Sequence, residues 1–473
     1  MTRRVVILGG GLGGLAAAAL LQRAGLDVTL LERNEWLGGK SRRIEVAGQR
    51  IDTGPSLVTF PGVLEAFFDR FDSAGGTRAQ SAREIANLTL ERLPEVGRYY
   101  FQGHVTDLPV AEDHPWHQAW ADFEAEHAVL EPAITELLTT DPFDQRVMGA
   151  AWKLVSSYGT RLNTEAYLSG RGDLPKALRE IIAIHTLNAG VAPKDTLALY
   201  ATMPAVMAHQ GVYVPQGGVY EIARALARLA ESEGAVLRTS ETVTSVEKGR
   251  VITTEASYDA DVVVSALDTG VLERLLGESV ATPRRLSCSG VAVFTVLSKE
   301  LPDEVVTHSV VMPDNPAELF DSLRARRDPA QTMAFLNYYR AGHIYPNDRP
   351  TAAFLLTAPP DGSVRDITDP WVHRELERVA SVVGLGESVD TLIADYQVLS
   401  PGYFEQFGAT GGALYGKGRP WWVSGPFHRP GYRSLTRPWL WRVGASVHPG
   451  GGIPAVLGGA LIQTARLLRS LKA

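Results

Sequence analysis

Gly9, Gly11 and Gly14 stand in a G-x-G-x-x-G arrangement, and Glu32 closes the next apolar run. Glycines at that spacing suit the cradling of a dinucleotide diphosphate. The first allows a tight turn, the second lets backbone approach the phosphates, and the third lets a helix pack on a strand; a carboxylate about 20 residues on accepts the adenosine ribose hydroxyls. Leu12 and Gly13 complete the turn, and the helix it opens presents its N-terminus to the anion. At the other end of the chain Gly444-Ala445-Ser446-Val447-His448-Pro449-Gly450-Gly451-Gly452 forms a second glycine-rich turn that runs into Ile453. A single extended cofactor explains why both turns are needed.

Few side chains are placed to move protons. His448 lies within the second turn, where it acts as acid or base or bonds a backbone carbonyl, and Arg429 before Pro430 orients a cofactor edge or forms a structural pair. His308 reads as structural. There is no Ser-His-Asp arrangement and no Cys/His cluster with metal spacing, so no metal is expected.

The elements that must position these residues follow from periodicity. Arg4 to Leu8 is a short apolar strand, Leu15 to Leu21 a strong helix former, and Asp27 to Leu31 a second strand. After Glu32 come Arg33, the glycine pair Gly38-Gly39, then Lys40, Arg42 and Arg43, cations within reach of a diphosphate. Lysine acts there as a point charge, leaving Arg42 or Arg43 to supply a two-pronged donor. Val63 to Phe71 is helical, Leu88–Leu93 and Arg98–Phe101 read as a hairpin-like pair, and residues 116–209 are mostly helical. Strand patterns return at 289–297, 333–338 and 352–358, with a helix at 371–383. Trp439–Val443 is a strand, and a helix opens at Ile453-Pro454, proline being tolerated in a first helical turn.

The run from Gly9 through Gly38-Gly39-Lys40 to Ile51-Asp52-Thr53-Gly54-Pro55-Ser56 resembles the extended N-terminal FAD signature of the amine oxidase and phytoene desaturase superfamily, with lysine where the usual Gly-Gly-Arg turn has arginine. Val443 to Pro454 closely resembles the C-terminal motif of bacterial carotenoid desaturases, and 211–218, 287–290, 412–416 and 427–430 look like the same family. The resemblance implies an α/β protein: a Rossmann-type FAD-binding domain, glutathione-reductase-like, in pieces 1–72, 209–270 and 416–473, with an inserted α+β substrate domain from 73–208 and 271–415. It implies cofactor contacts from Gly54, Pro55 and Ser56, from Val243 against adenine, and from Gly444, Ala445, Gly452 and Ile453. The activity implied is FAD-dependent desaturation of a long polyene, phytoene or a later substrate desaturated at its 3,4 bond. A carotenoid isomerase or oxidase is the alternative on the same fold. An amine oxidase is the other, with Trp421-Trp422 the feature that imitates an aromatic cage. A non-enzymatic flavin-binding carrier is the remaining class.

Desaturation requires a dry slot, since no side chain accepts hydride and a flavin must. The apolar run Leu197 to Ala208, with Met203 and Met207, and the aromatics Trp421, Trp422 and Phe427 are candidates for its lining. The same run is the candidate surface for docking on a membrane from which a carotenoid is drawn. The electron acceptor, a quinone or oxygen, is left open.

Composition sets limits. The 473 residues suffice for two domains, and the net charge of −7 argues against a nucleic-acid partner. One cysteine, Cys288, cannot form an intrachain disulfide, which favours a reducing compartment. The basic and apolar start of the chain imitates a secretory signal, but the glycine fingerprint accounts for all of it. No run of about 20 residues suits a membrane span. The expected location is the cytoplasm, peripheral to the inner face of the cell membrane.

Overall fold

The computed structural model describes residues 2–75, 80–280, 283, 285–418, 421–423 and 428–472. Phe427 lies outside them.

Arg4–Leu8 is the middle strand of a five-stranded parallel sheet. Asp27–Leu31 and then Val236–Arg238 lie on one side, Val262–Ser265 and then Leu440–Arg442 on the other. Segments from the beginning, middle and end of the chain thus share one sheet. Val262, Val263 and Val264 are all buried, as expected of strands covered on both faces. The Leu12–Arg23 helix packs on the Tyr220–Ser232 helix and on the C-terminal helix Ile453–Lys472. Four consecutive buried alanines, Ala16 to Ala19, keep that layer thin.

The second sheet has seven strands, in the spatial order Ile393–Leu399, Ser289–Leu297, Thr351–Ala358, Ala334–Tyr339, His308–Val311, Gly97–Phe101 and His104–Leu108. Every neighbouring pair is antiparallel except His308–Val311 with Gly97–Phe101. The Pro370–Val383 helix covers one face through Val372, Leu376 and Val379. Its start is fixed by Asp369, which accepts the N–H groups of Trp371 and Val372 at 2.9 and 3.2 Å. Ile44, Val46 and Ile51, on the ribbon Arg43–Val46 and Gln49–Asp52, pack with Phe294 and Val296 in a core at this sheet.

Two expectations are corrected here. Leu90–Arg92 does not pair with Gly97–Phe101; it pairs with Tyr213–Pro215, while Gly97–Phe101 turns back on His104–Leu108. The apolar run 197–208 forms most of a helix, Leu199–Gln210, in which Ala201, Thr202, Pro204, Ala205, Val206, Met207 and Ala208 are buried. It belongs to a core and cannot dock on a membrane.

Candidate cofactor and active site

The glycine turns from the two ends of the chain touch. A methyl group added to Gly13 would lie 2.8 Å from Gly444 Cα and 3.0 Å from Gly444 N, so only hydrogen fits there. The third glycine segment joins them: the Gly38 N–H donates to Gly10 O at 2.7 Å, and a methyl on Gly39 would lie 3.1 Å from Gly11 Cα. Gly11 itself differs. A methyl there meets no atom within 4 Å, and the first amides of the Leu12–Arg23 helix have no intrahelical acceptor. The open side of Gly11 and those amides fit a diphosphate.

Glu32 lies at one end of this groove and is 6% exposed. Its carboxylate accepts from Gly10 N at 2.7 Å, Asn34 N at 2.9 Å and Asn34 Nδ2 at 2.7 Å, leaving an acceptor site for a ribose hydroxyl. The Glu241 N–H donates to the Glu32 carbonyl at 2.9 Å, which brings the chain just before Val243 to the same end.

At the other end the turn 444–452 meets the substrate-side residues. A methyl on Gly451 would lie 2.8 Å from the Tyr415 ring, and one on Gly190 would lie 2.8 Å from it as well. Backbone bonds from Cys288 N to Gly190 O (2.7 Å), Leu414 N to Cys288 O (3.0 Å) and Ser287 N to Gly416 O (3.0 Å) weave these segments together. Ser289 Oγ donates to Gly412 O at 2.8 Å. Burial pushes the Cys288 thiol up to about 12 and raises Tyr415 well above an ordinary phenol, so both stay protonated at neutral pH. The C-terminal helix begins at Ile453, with Gly452 O accepting Val456 N at 2.9 Å, so the positive end of its dipole opens at the turn.

Residues 12–346 match the family described as flavin containing amine oxidoreductase. The chain belongs to this family. It is 30% identical to a hydroxyneurosporene desaturase of Rubrivivax gelatinosus over 97% of this chain and 92% of that protein. It is 26% identical to a 4,4'-diapolycopene oxygenase of Methylomonas sp over 98% and 97%. Among solved structures, wild-type putrescine oxidase bound to putrescine superposes with a TM-score of 0.65 at 13% identity, covering 100% of this chain and 99% of that one. The cofactor of this flavin containing amine oxidoreductase is FAD, and the chain is an oxidoreductase.

The cations expected at the diphosphate are spread more widely. Arg33 reaches the Gln406 carbonyl, and Arg42 stacks 3.9 Å over Trp36 and donates to Tyr403 Oη at 3.3 Å. Arg43 donates to Asp52, Glu221 and the Gly217 carbonyl, so its fork is occupied structurally. Lys40 Nζ donates to Leu414 O at 2.8 Å. Lys40 is exposed, yet protein packed around its ammonium lowers its pKa, and Asp268 opposes the shift. Thr53 donates to Lys40 O at 3.1 Å, which ties Gly54-Pro55-Ser56 to the Gly38–Arg42 turn.

His448 is the histidine nearest the cofactor turn in sequence, and its surroundings favour the neutral ring. Burial, helped by Arg466, lowers its pKa to about 4, and both ring nitrogens are buried without partners. Its carbonyl accepts the Tyr432 hydroxyl at 2.7 Å, and its ring lies 6.4 Å from that of His428. Arg429 is exposed, whereas His428 beside it is buried. Tyr415 and Tyr432 were not singled out from the sequence. Tyr415 lies in the 412–416 run and Tyr432 in no motif, and only the approach of distant segments gives them a place in the site.

His308 is buried and bonded to its neighbours. Its Nδ1 bonds Asn337 Oδ1, its ring stacks on Phe335, and Asn337 Nδ2 donates to Ser56 Oγ at 2.7 Å. Trp421 and Trp422 are the pair that could imitate an aromatic cage. Their rings meet edge to face at 89°, and Trp422 is 59% exposed.

Proposed function

We propose that the chain is a FAD-dependent carotenoid desaturase that draws a long polyene from a membrane surface. The observation that carries this reading is the wall facing the C-terminal turn. Gly451 is met by Tyr415, and Cys288 is bonded to the adjoining Leu414 through its carbonyl; both are uncharged, and the one histidine of the turn is held neutral with no hydrogen-bond partner for its ring among the described residues. Such a wall suits a hydrocarbon. The full-length likeness to a hydroxyneurosporene desaturase supports the substrate class, and both phytoene and a later substrate desaturated at its 3,4 bond stay within this reading.

Gly9, Gly11, Leu12, Gly13 and Gly14 would hold the diphosphate, Glu32 the ribose, and Val243 the adenine. Gly39, Lys40, Arg33, Arg42, Gly54, Pro55 and Ser56 would flank the middle of the cofactor, and Gly444, Ala445, Gly452 and Ile453 its ring. When bound, FAD supplies the hydride acceptor that no side chain provides. Tyr415 and Leu414 exclude water from the reacting carbons, and the Ile453 helix end favours negative charge at the turn. With His448 neutral, the proton passes to water or a weak base. The substrate domain in this reading comprises 73–208 and 271–415, which together supply every strand of the seven-stranded sheet.

Among the described residues no helix is long and apolar enough to cross a membrane. Peripheral attachment at the cytoplasmic face, with a quinone or oxygen as electron acceptor, fits that. The likeness to an oxygenase keeps one competing reading, oxidation on the same fold. Pigment analysis of a carotenoid-accumulating host expressing the chain separates them. Desaturation lowers product mass by two hydrogens per new double bond, isomerisation leaves it unchanged, and oxygenation raises it.

A further inference from the structure

The Val147–Tyr158 helix carries two apolar faces. Val147, Ala150, Leu154 and Tyr158 recur at helical spacing and are buried. Met148, Trp152 and Val155 recur at the same spacing on the other side, and they are 69%, 74% and 49% exposed. Val129, 58% exposed, precedes the neighbouring helix, and Lys153 Nζ donates to its carbonyl at 2.8 Å. Phe143, 71% exposed, stands at the entrance to the helix. A tryptophan, a methionine and a valine left in water along one helix call for a covering partner, while Phe143 at its entrance already carries the Arg466 guanidinium 5.3 Å over its ring.

The charge around this face says which partner. Residues 145–164 include Arg146, Lys153 and Arg161 and no aspartate or glutamate. Asp144 pairs with Arg146 at 2.7 Å and Glu136 faces the same arginine, so Arg161 and Lys153, whose Nζ bonds the Val129 carbonyl, are the cations of this stretch without a carboxylate partner among the described residues. Arg469 and Lys472, both exposed, end the C-terminal helix, and Arg469 is anchored to Asp141 near the same loop at 3.1 Å. An apolar stripe with tryptophan, rimmed by cations, matches a bilayer with anionic headgroups. A second copy of the chain fits poorly, because a two-fold interface would set these cations against their own copies.

We propose that the Met148–Trp152–Val155 face docks this protein on an anionic lipid bilayer. The proposal rests on the carotenoid reading, since a bilayer is where such a substrate resides, and it replaces the buried 197–208 run as the membrane contact.

The test is co-sedimentation of the FAD-loaded protein, without substrate, on phosphatidylglycerol-containing vesicles and on neutral phosphatidylcholine vesicles. The parent protein is expected to bind the anionic vesicles better. The double variant Met148→Glu with Trp152→Glu should lower that binding on the order of tenfold or more, a factor that corresponds to about 1.4 kcal/mol. Its FAD content, and its turnover on detergent-dispersed carotenoid, should match the parent's. Cys288 is buried and is the sole cysteine, so Met148→Cys accepts an environment-sensitive fluorophore at one site, whose emission should shift blue on anionic vesicles. Vesicle binding unchanged in the double variant, or absent in the parent, would overturn the proposal. So would a parent dimer that the double variant abolishes. Because binding is scored without substrate, failure of the carotenoid reading would show separately, as absent turnover in detergent.

Discussion

Adding one methyl group at each of two neighbouring glycines separates the packing of the cofactor groove from its occupation. At Gly13 the methyl would lie 2.8 Å from Gly444 Cα, while ordinary contact begins at 3.4 Å, so two backbone segments must part by about 0.6 Å. Val456 Cγ1 at 3.3 Å blocks a sideways escape. Overpacking of this kind costs about 1–3 kcal/mol, which is about 5- to 150-fold in an equilibrium constant. Gly13→Ala should therefore lower the melting temperature of the FAD-free protein and weaken FAD by a factor in that range. At Gly11 the methyl meets nothing, and φ −67° with ψ 171° suits alanine. Gly11→Ala should leave the FAD-free protein as stable as the parent and still lose FAD affinity on the order of tenfold or more, because its open side is where the diphosphate must lie. FAD titration of the stripped proteins, with thermal melts alongside, reads both quantities. Parent-like FAD affinity in Gly11→Ala would refute the placement of the diphosphate, and a parent-like melt in Gly13→Ala would refute the contact between the two turns.

Glu32→Ala removes a ribose acceptor and the partner of Gly10 and Asn34; at about 1.5–3 kcal/mol per charge-assisted bond it should weaken FAD on the order of tenfold or more, and unchanged retention on a desalting column would sink the assignment. His448→Ala should lower FAD occupancy and activity together, with activity per bound flavin nearly constant; a fall of about a hundredfold per flavin, the low end of acid–base catalysis, would show a chemical role. Burial holds His185 and His308 at about 4 against an ordinary 6.5. The unfolded chain takes protons there that the folded chain refuses, so stability is full above pH 6.5, falls as pH drops towards 4 and levels below. Each histidine contributes up to about 1.4 kcal/mol per pH unit. Urea melts across that window should show a shallower loss in His308→Gln, and an unchanged slope would contradict the buried neutral state.

The glycine fingerprint, the strands around it and Glu32 were legible because they are local. Strand, turn, helix and carboxylate follow within one short stretch, and each residue type has a steric or hydrogen-bonding reason to be there. The convergence of Gly13 on Gly444 was implied only by the need for one long cofactor. Partnering was the harder matter. Leu90–Arg92 is three residues long, too short to announce that Tyr213–Pro215 and not Gly97–Phe101 completes it. The fork of Arg43 was open in the sequence because Asp52 is near but Glu221 and Gly217 are far along the chain. Apolar runs told least. Residues 197–208 read as a slot lining or a surface and are mostly buried, whereas Met148 and Trp152, which no motif marks, face water. Periodicity gives the faces of a helix; only the neighbours decide which is covered.

The most direct test of the central claim is an anaerobic single-turnover reaction. FAD-loaded protein is mixed with a long-chain carotenoid in detergent or anionic vesicles, flavin absorption is followed, and the pigment is analysed by mass spectrometry. The account predicts bleaching of the flavin and one product molecule, lighter by two hydrogens, for each flavin bleached. A product of unchanged mass, a product that forms only when oxygen is admitted and carries it, or bleaching by a water-soluble amine but by no carotenoid would contradict it.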